Sequence, residues 1–213
     1  MDVMTQSAVR EDERESSGFI QGLVVATVTD NRDPEGLARV RVRLPWQEEG
    51  DQSYWAPMVV PMALKEQGTF FLPDVGERVV VAFEQGDPTH PRVLGSSWEG
   101  GTAPPKDNGD GKNDYRLIRS RKNSELAFFD GEHPTVELKL EDGKHLLMDS
   151  EGITLEDGSG NQVKIESGSG GITIKSSGSI NLESQTISIK AGASMELKAS
   201  GTLKINGALV QIN

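Results

Sequence analysis

The chain has 213 residues, a formal net charge of −11 and no cysteine, which leaves room for one or two small domains and excludes disulfide and thiolate chemistry. The first 17 residues are polar and charged, and no run nears the ~18 apolar residues of a membrane span. Synthesis in the cytoplasm without a signal peptide is therefore expected. All eleven aromatics and all ten prolines lie before residue 135, and residues 151–213 carry six acids and five lysines, so almost all the negative charge belongs to the first 150 residues. The composition implies an aromatic-containing head followed by a thin, nearly neutral shaft.

Residues 1–18 read as a flexible N-terminal arm. Strand signals follow at Ile20–Thr29, Ala38–Leu44, Tyr54–Val60, Arg78–Phe83 and Arg92–Trp98, separated by turn clusters such as Asp33-Pro34-Glu35-Gly36 and Pro73-Asp74-Val75-Gly76. Five short strands without a helical period predict a small closed barrel over 19–99, because closure removes exposed edges. Residues 100–114, rich in Gly, Pro, Asp and Asn, read as a linker. A β-rich neck over 115–150 has hairpin turns at Asp130-Gly131 and Asp142-Gly143.

The shaft, 151–213, is the most informative segment. Two apolar residues flank one polar or small residue at Ile172/Ile174, Ile180/Leu182, Ile187/Ile189, Met195/Leu197, Leu203/Ile205 and Val210/Ile212, with starts 8, 7, 8, 8 and 7 residues apart. Side chains alternate across a strand, so each doublet is a short strand with one face to bury. Looser doublets, Ile153/Leu155 and Val163/Ile165, precede them. Units this small gain stability only by stacking. One chain can close such a rod with triangular coils of about three units, since a parallel crossover within one sheet needs about a dozen residues. Three chains, each supplying one strand per face in turn, suit the large aliphatics better. These twelve residues are the expected trimer core, and Val210, Ile212 and Asn213 would offer an open end to another protein.

Candidate chemistry is sparse. Arg39, Arg41 and Arg43 alternate with Val40, Val42 and Leu44, placing three guanidiniums on one strand face. Binding of nucleic acid is not expected, because phosphate recognition rests on a basic field and the chain is strongly acidic. His90, His133 and His145 are scattered, without a second ligand at metal spacing. The stretch Asp107–Asp114 lacks the ligand order of a calcium loop. Neither a nucleophile elbow, a phosphate loop nor a zincin helix is present. No catalytic residue, metal site or cofactor is expected.

Gly36-Leu37-Ala38-Arg39-Val40-Arg41-Val42-Arg43-Leu44-Pro45-Trp46, Tyr54-Trp55-Ala56-Pro57, the run Phe71 to Glu84, and the run Gly86-Asp87-Pro88-Thr89-His90-Pro91-Arg92-Val93-Leu94-Gly95-Ser96 resemble, in that order, the central spike of contractile tails. This family comprises phage baseplate assembly protein V and the valine-glycine repeat proteins of type VI secretion. The resemblance implies an all-β chain: an N-terminal OB-type barrel followed by a C-terminal intertwined trimeric β-helix. It further implies assembly into the baseplate of a phage tail or tail-like particle, with other baseplate proteins and a separate tail hub as partners. A PAAR-like tip protein would cap the last coil, and the target outer membrane would be pierced on sheath contraction. The alternatives are a trimeric carbohydrate-binding or depolymerising fibre, which would want aromatics along the shaft, and a monomeric ice-binding solenoid, which would want flat arrays of outward Thr.

Overall fold

The computed structural model describes residues 18–99 and 101–212; the arm expected at 1–18 (save Gly18) and Asn213 lie outside them. The chain divides into two units, the first ending at Lys112 and the second beginning at Asn113. Both are built of β-structure, and the one helical element among the described residues is a 3₁₀ turn, Glu84–Gly86.

The first unit contains β1 (Val24–Asp30), β2 (Arg41–Arg43), a small hairpin of β3 (Ala63–Leu64) and β4 (Gln67–Gly68), β5 (Arg78–Phe83) and β6 (Pro91–Ser96). Four of them form an antiparallel sheet in the order β2-β1-β5-β6. Its two outer strands are joined by the segment expected as a strand at Tyr54–Val60. Val40 and Ala56 exchange two backbone hydrogen bonds, at 3.0 and 2.8 Å, while Val93 donates to Pro57 (3.0 Å) and accepts from Val59 (2.8 Å). The second contact is parallel, so isolated bridges close the barrel. The strand expected from Ala38 shortens to Arg41–Arg43, because Ala38 has φ of 55°, a left-handed conformation incompatible with a strand.

Period-two alternation fills the barrel. Ala26 and Val28, Val40, Val42 and Leu44, Val79, Val81 and Phe83, and Val93 with Ala56 form one buried cluster. Valine dominates because a β-branched side chain packs well on a pleat and fits a narrow interior. The loop before β2 is held by one carboxylate. Asp33 accepts backbone N–H bonds from Glu35, Leu37 and Arg39, and two from the Arg39 guanidinium at 2.8 and 2.7 Å. The Arg39 side chain, followed by those backbone donors, holds the Asp33 carboxyl far below the usual carboxylate range.

The second unit opens with a seven-stranded antiparallel meander. Its strands are β7 (Tyr115–Arg119), β8 (Glu125–Phe129), β9 (Thr135–Lys139), β10 (His145–Met148), β11 (Gly152–Glu156), β12 (Gln162–Glu166) and β13 (Ile172–Lys175), adjacent in sequence order. Local side-chain caps make the turns. Asp149 Oδ1 accepts from the N–H groups of Glu151 and Gly152, and Asp157 Oδ1 accepts from those of Ser159 and Asn161. Gly152 has φ of 147°, and a Cβ there would stand 1.8 Å from the Ile165 carbonyl oxygen, so the β11–β12 crossing admits only glycine. The sheet runs unbroken across position 150: β10 pairs with β11 through Leu146↔Leu155 and Met148↔Ile153. Beyond Lys175 no strand forms among the described residues, and every residue from 177 to 212 is exposed.

Two outcomes follow for the barrel. Val81→Ala, at a fully buried position, is expected to lower its stability by about 2 kcal/mol in urea unfolding. Asp33→Asn is expected to lower the urea midpoint at pH 7. An ionised Asp33 stabilises the fold above the ordinary carboxylate pKa of about 4 and loses this effect as pH falls through its depressed folded value. The gap between wild type and Asp33→Asn should therefore narrow progressively in titrations below about pH 4.

Candidate assembly surface

Strand register turns the scattered doublets of the second unit into a continuous surface. Ile118, Leu126, Leu138, Leu146, Leu155, Val163 and Ile174 stand directly opposite one another across β7 to β13. Two positions along each strand, Phe128, Val136, Met148, Ile153, Ile165 and Ile172 make a second file, begun on β7 by Arg116. Directly opposite residues, and those at i and i+2, share a face. One face of the sheet thus carries thirteen apolar side chains in two parallel files. The single chain leaves them uncovered: Leu138 is 50%, Leu155 54%, Ile174 61% and Ile172 68% exposed.

The opposite face is largely polar, with opposite charges set across strands. Arg119 donates to Glu125 (2.6 Å), Glu125 stands opposite Lys139, and Lys139 stands opposite His145. His145 Nε2 lies 3.8 Å from Glu156, and Lys164 lies 3.1 Å from Glu166. An antiparallel sheet with one apolar and one charged face is solvated on the second and must cover the first. A contiguous apolar surface of this kind marks an association site.

Of the expected core residues, Ile172 and Ile174 sit on β13 in the two files. Ile180, Leu182, Ile187, Ile189, Met195, Leu197, Leu203, Ile205, Val210 and Ile212 lie beyond the sheet, each about half exposed or more. The sequence reading missed Leu126/Phe128, Val136/Leu138 and Leu146/Met148, which begin the same files. Their signal is the same apolar-x-apolar doublet, diluted by intervals of up to seven residues and hidden in the run Leu146-Leu147-Met148.

The barrel's cations are largely engaged with their own surroundings. Arg39 pairs with Asp33 and Glu35. The Arg41 guanidinium stacks 4.8 Å from the Trp55 ring centre and donates to Gln52 Oε1 at 2.9 Å. Among the described residues, His90 Nδ1 lies 2.9 Å from Asp87, no group of three or more His, Asp or Glu is placed to hold a metal ion, and no helix is long and apolar enough to cross a membrane. The barrel also exposes a hydrophobic hairpin, with Met62, Leu64, Phe70 and Phe71 each about half exposed or more.

Two comparisons bear on the barrel. The family model described as the Type VI secretion system/phage-baseplate injector OB domain matches residues 24–98, from the first residue of β1 to just past β6. Over 94 residues the chain is 30% identical to the Type VI secretion system spike protein VgrG3 of Vibrio cholerae serotype O1, a match covering 40% of this chain and 9% of that protein. The chain thus spans less than a tenth of that relative's length. Bridge closure, a valine core and the ordered motif series agree with the match: residues 24–98 are similar to the injector OB domain of type VI secretion systems and phage baseplates.

Proposed function

We propose that this protein is the structural central spike of a contractile injection machine, acting by mechanics rather than catalysis. The barrel's family supports a baseplate or spike-type structural role. The observation that carries the rest is the uncovered pair of apolar files. Seven strands about 4.8 Å apart make a face roughly 30 Å long, while strands of about five residues are only about 16 Å wide. Such a narrow ribbon has two inward columns, which fits a prism closed by three copies around one axis. The number three comes from the family. Each aliphatic side chain covered in this way contributes about 1.5–3 kcal/mol, and the gain repeats at every layer.

In this reading the barrels attach to a separate tail hub and other baseplate proteins. The last doublet, Val210 and Ile212, with Asn213, receives a PAAR-like tip protein. Sheath contraction then drives the shaft through the target outer membrane, and no cofactor takes part.

Native mass spectrometry of the full chain at micromolar concentration tests the assembly. A species of three times the 23.1 kDa chain is expected, and a folded single chain would overturn the reading. Leu146→Lys, central in one file, is expected to give single chains. Thr173→Glu, on the polar face opposite Lys164, is expected to leave the assembly intact.

A further inference from the structure

The two parts of the second unit satisfy their backbones differently. From Tyr115 to Lys175 every strand is hydrogen-bonded to its neighbours within the same chain. Residues 176–210 form no strand, and among the described residues the backbone-to-backbone bonds stop with those of β13 and its turn. Their side chains bond only locally, as in Ser176 Oγ to the Ser179 carbonyl, apart from Ser177, whose Oγ donates to Asn161 Oδ1 at 3.1 Å beside its own N–H at 2.8 Å. Yet residues 180–212 carry the five most regular doublets of the chain.

The intervals differ as well. Within the sheet, four of the five intervals from Leu126/Phe128 to Ile172/Ile174 hold six or seven residues; beyond Ile174 all five hold four or five. The one short interval inside the sheet, 149–152, is a hairpin made possible by the Asp149 cap and by Gly152 at φ 147°. No aspartate follows Asp157, so the later intervals lack that device. A strand whose chain does not fold back on itself leaves its N–H and C=O groups to another partner, since backbone groups buried without hydrogen bonds are costly.

We infer that the shaft, which in the three-copy reading packs sheet on sheet up to Lys175 and intertwines its strands beyond it, closes in one direction. This rests on the three-copy reading above. From Tyr115 to Lys175 preformed sheets dock face to face, side chain against side chain. From Ser176 onward the strands pair main chain to main chain with other copies. Free chains meeting there would order both partners at once, a large entropic cost. Once the sheets have docked, three Lys175 ends are held together, and the next pairing becomes effectively intramolecular. Each further unit then closes a loop of only four or five residues, for which the added entropy is small. Closure therefore starts at Ser176 and proceeds toward Ile212.

Hydrogen–deuterium exchange with native mass measurement on the full chain tests this. In wild type, amides in 180–212 should exchange on the order of 100-fold more slowly than in an unpaired chain. Leu182→Lys should retain three copies but lose that protection from about residue 180 to the end. Leu203→Lys should lose it only from about 203 onward. Protection lost across all of 180–212 in Leu203→Lys, or retained at 203–212 in Leu182→Lys, would overturn the direction. Separation of either variant into single chains would overturn the division at Lys175. A wild type that is itself a single chain would instead remove the three-copy reading, a distinguishable result.

Discussion

A β-strand presents its side chains alternately to two sides, and in this protein the two halves answer that constraint in opposite ways. In the barrel the apolar side turns inward, and the sheet closes on itself through Val40–Ala56 and Met58–Val93, leaving Val40, Val42, Val79, Val81 and Val93 wholly buried. In the meander the apolar side faces outward in two files that stay exposed among the described residues. The first unit buries its apolar side within a single copy, and the second leaves its own exposed.

The barrel's self-sufficiency extends to its charges. Asp33 gathers three backbone donors and the Arg39 guanidinium, fixing the loop that carries left-handed Ala38 into β2. Arg41 rests on Trp55. A strand face that looks basic on paper is thus partly neutralised by the barrel's own carboxylates and an aromatic ring. The meander's charges pair across strands, as in Arg119–Glu125, which favours one register, and along one strand, as in Lys164–Glu166.

Much of this was legible in the sequence because period two is written directly in residue order. Arg78–Phe83 was readable to the residue, since Val79, Val81 and Phe83 alternate cleanly. The strand expected at Tyr54–Val60 was misjudged in kind: around Pro57 and Pro61 the chain cannot donate regularly to a ladder, so it survives as bridges. The twelve doublet residues were found by spacing, and Ile172 and Ile174 fall on the apolar face. The earlier doublets were hidden because register, which is long-range, decides that Leu126, Leu138 and Leu146 meet. The difference between the self-paired sheet and the segment after Lys175 was equally invisible, because the doublets look alike whichever chain supplies the hydrogen bonds.

The near-uniformity of the two files has its own cost. A seam of interchangeable Ile, Leu and Val would fit almost as well with one copy slid by a single rung, about 4.8 Å along the axis. Phe128 is the one aromatic on either file, and Met148 the one thioether. Bulkier and differently shaped than their neighbours, these two would act, in the proposed three-copy shaft, as a key that makes a staggered alignment fit worse than a level one. Drift toward plain aliphatics at both positions would preserve the grease of the seam while erasing its only tick marks.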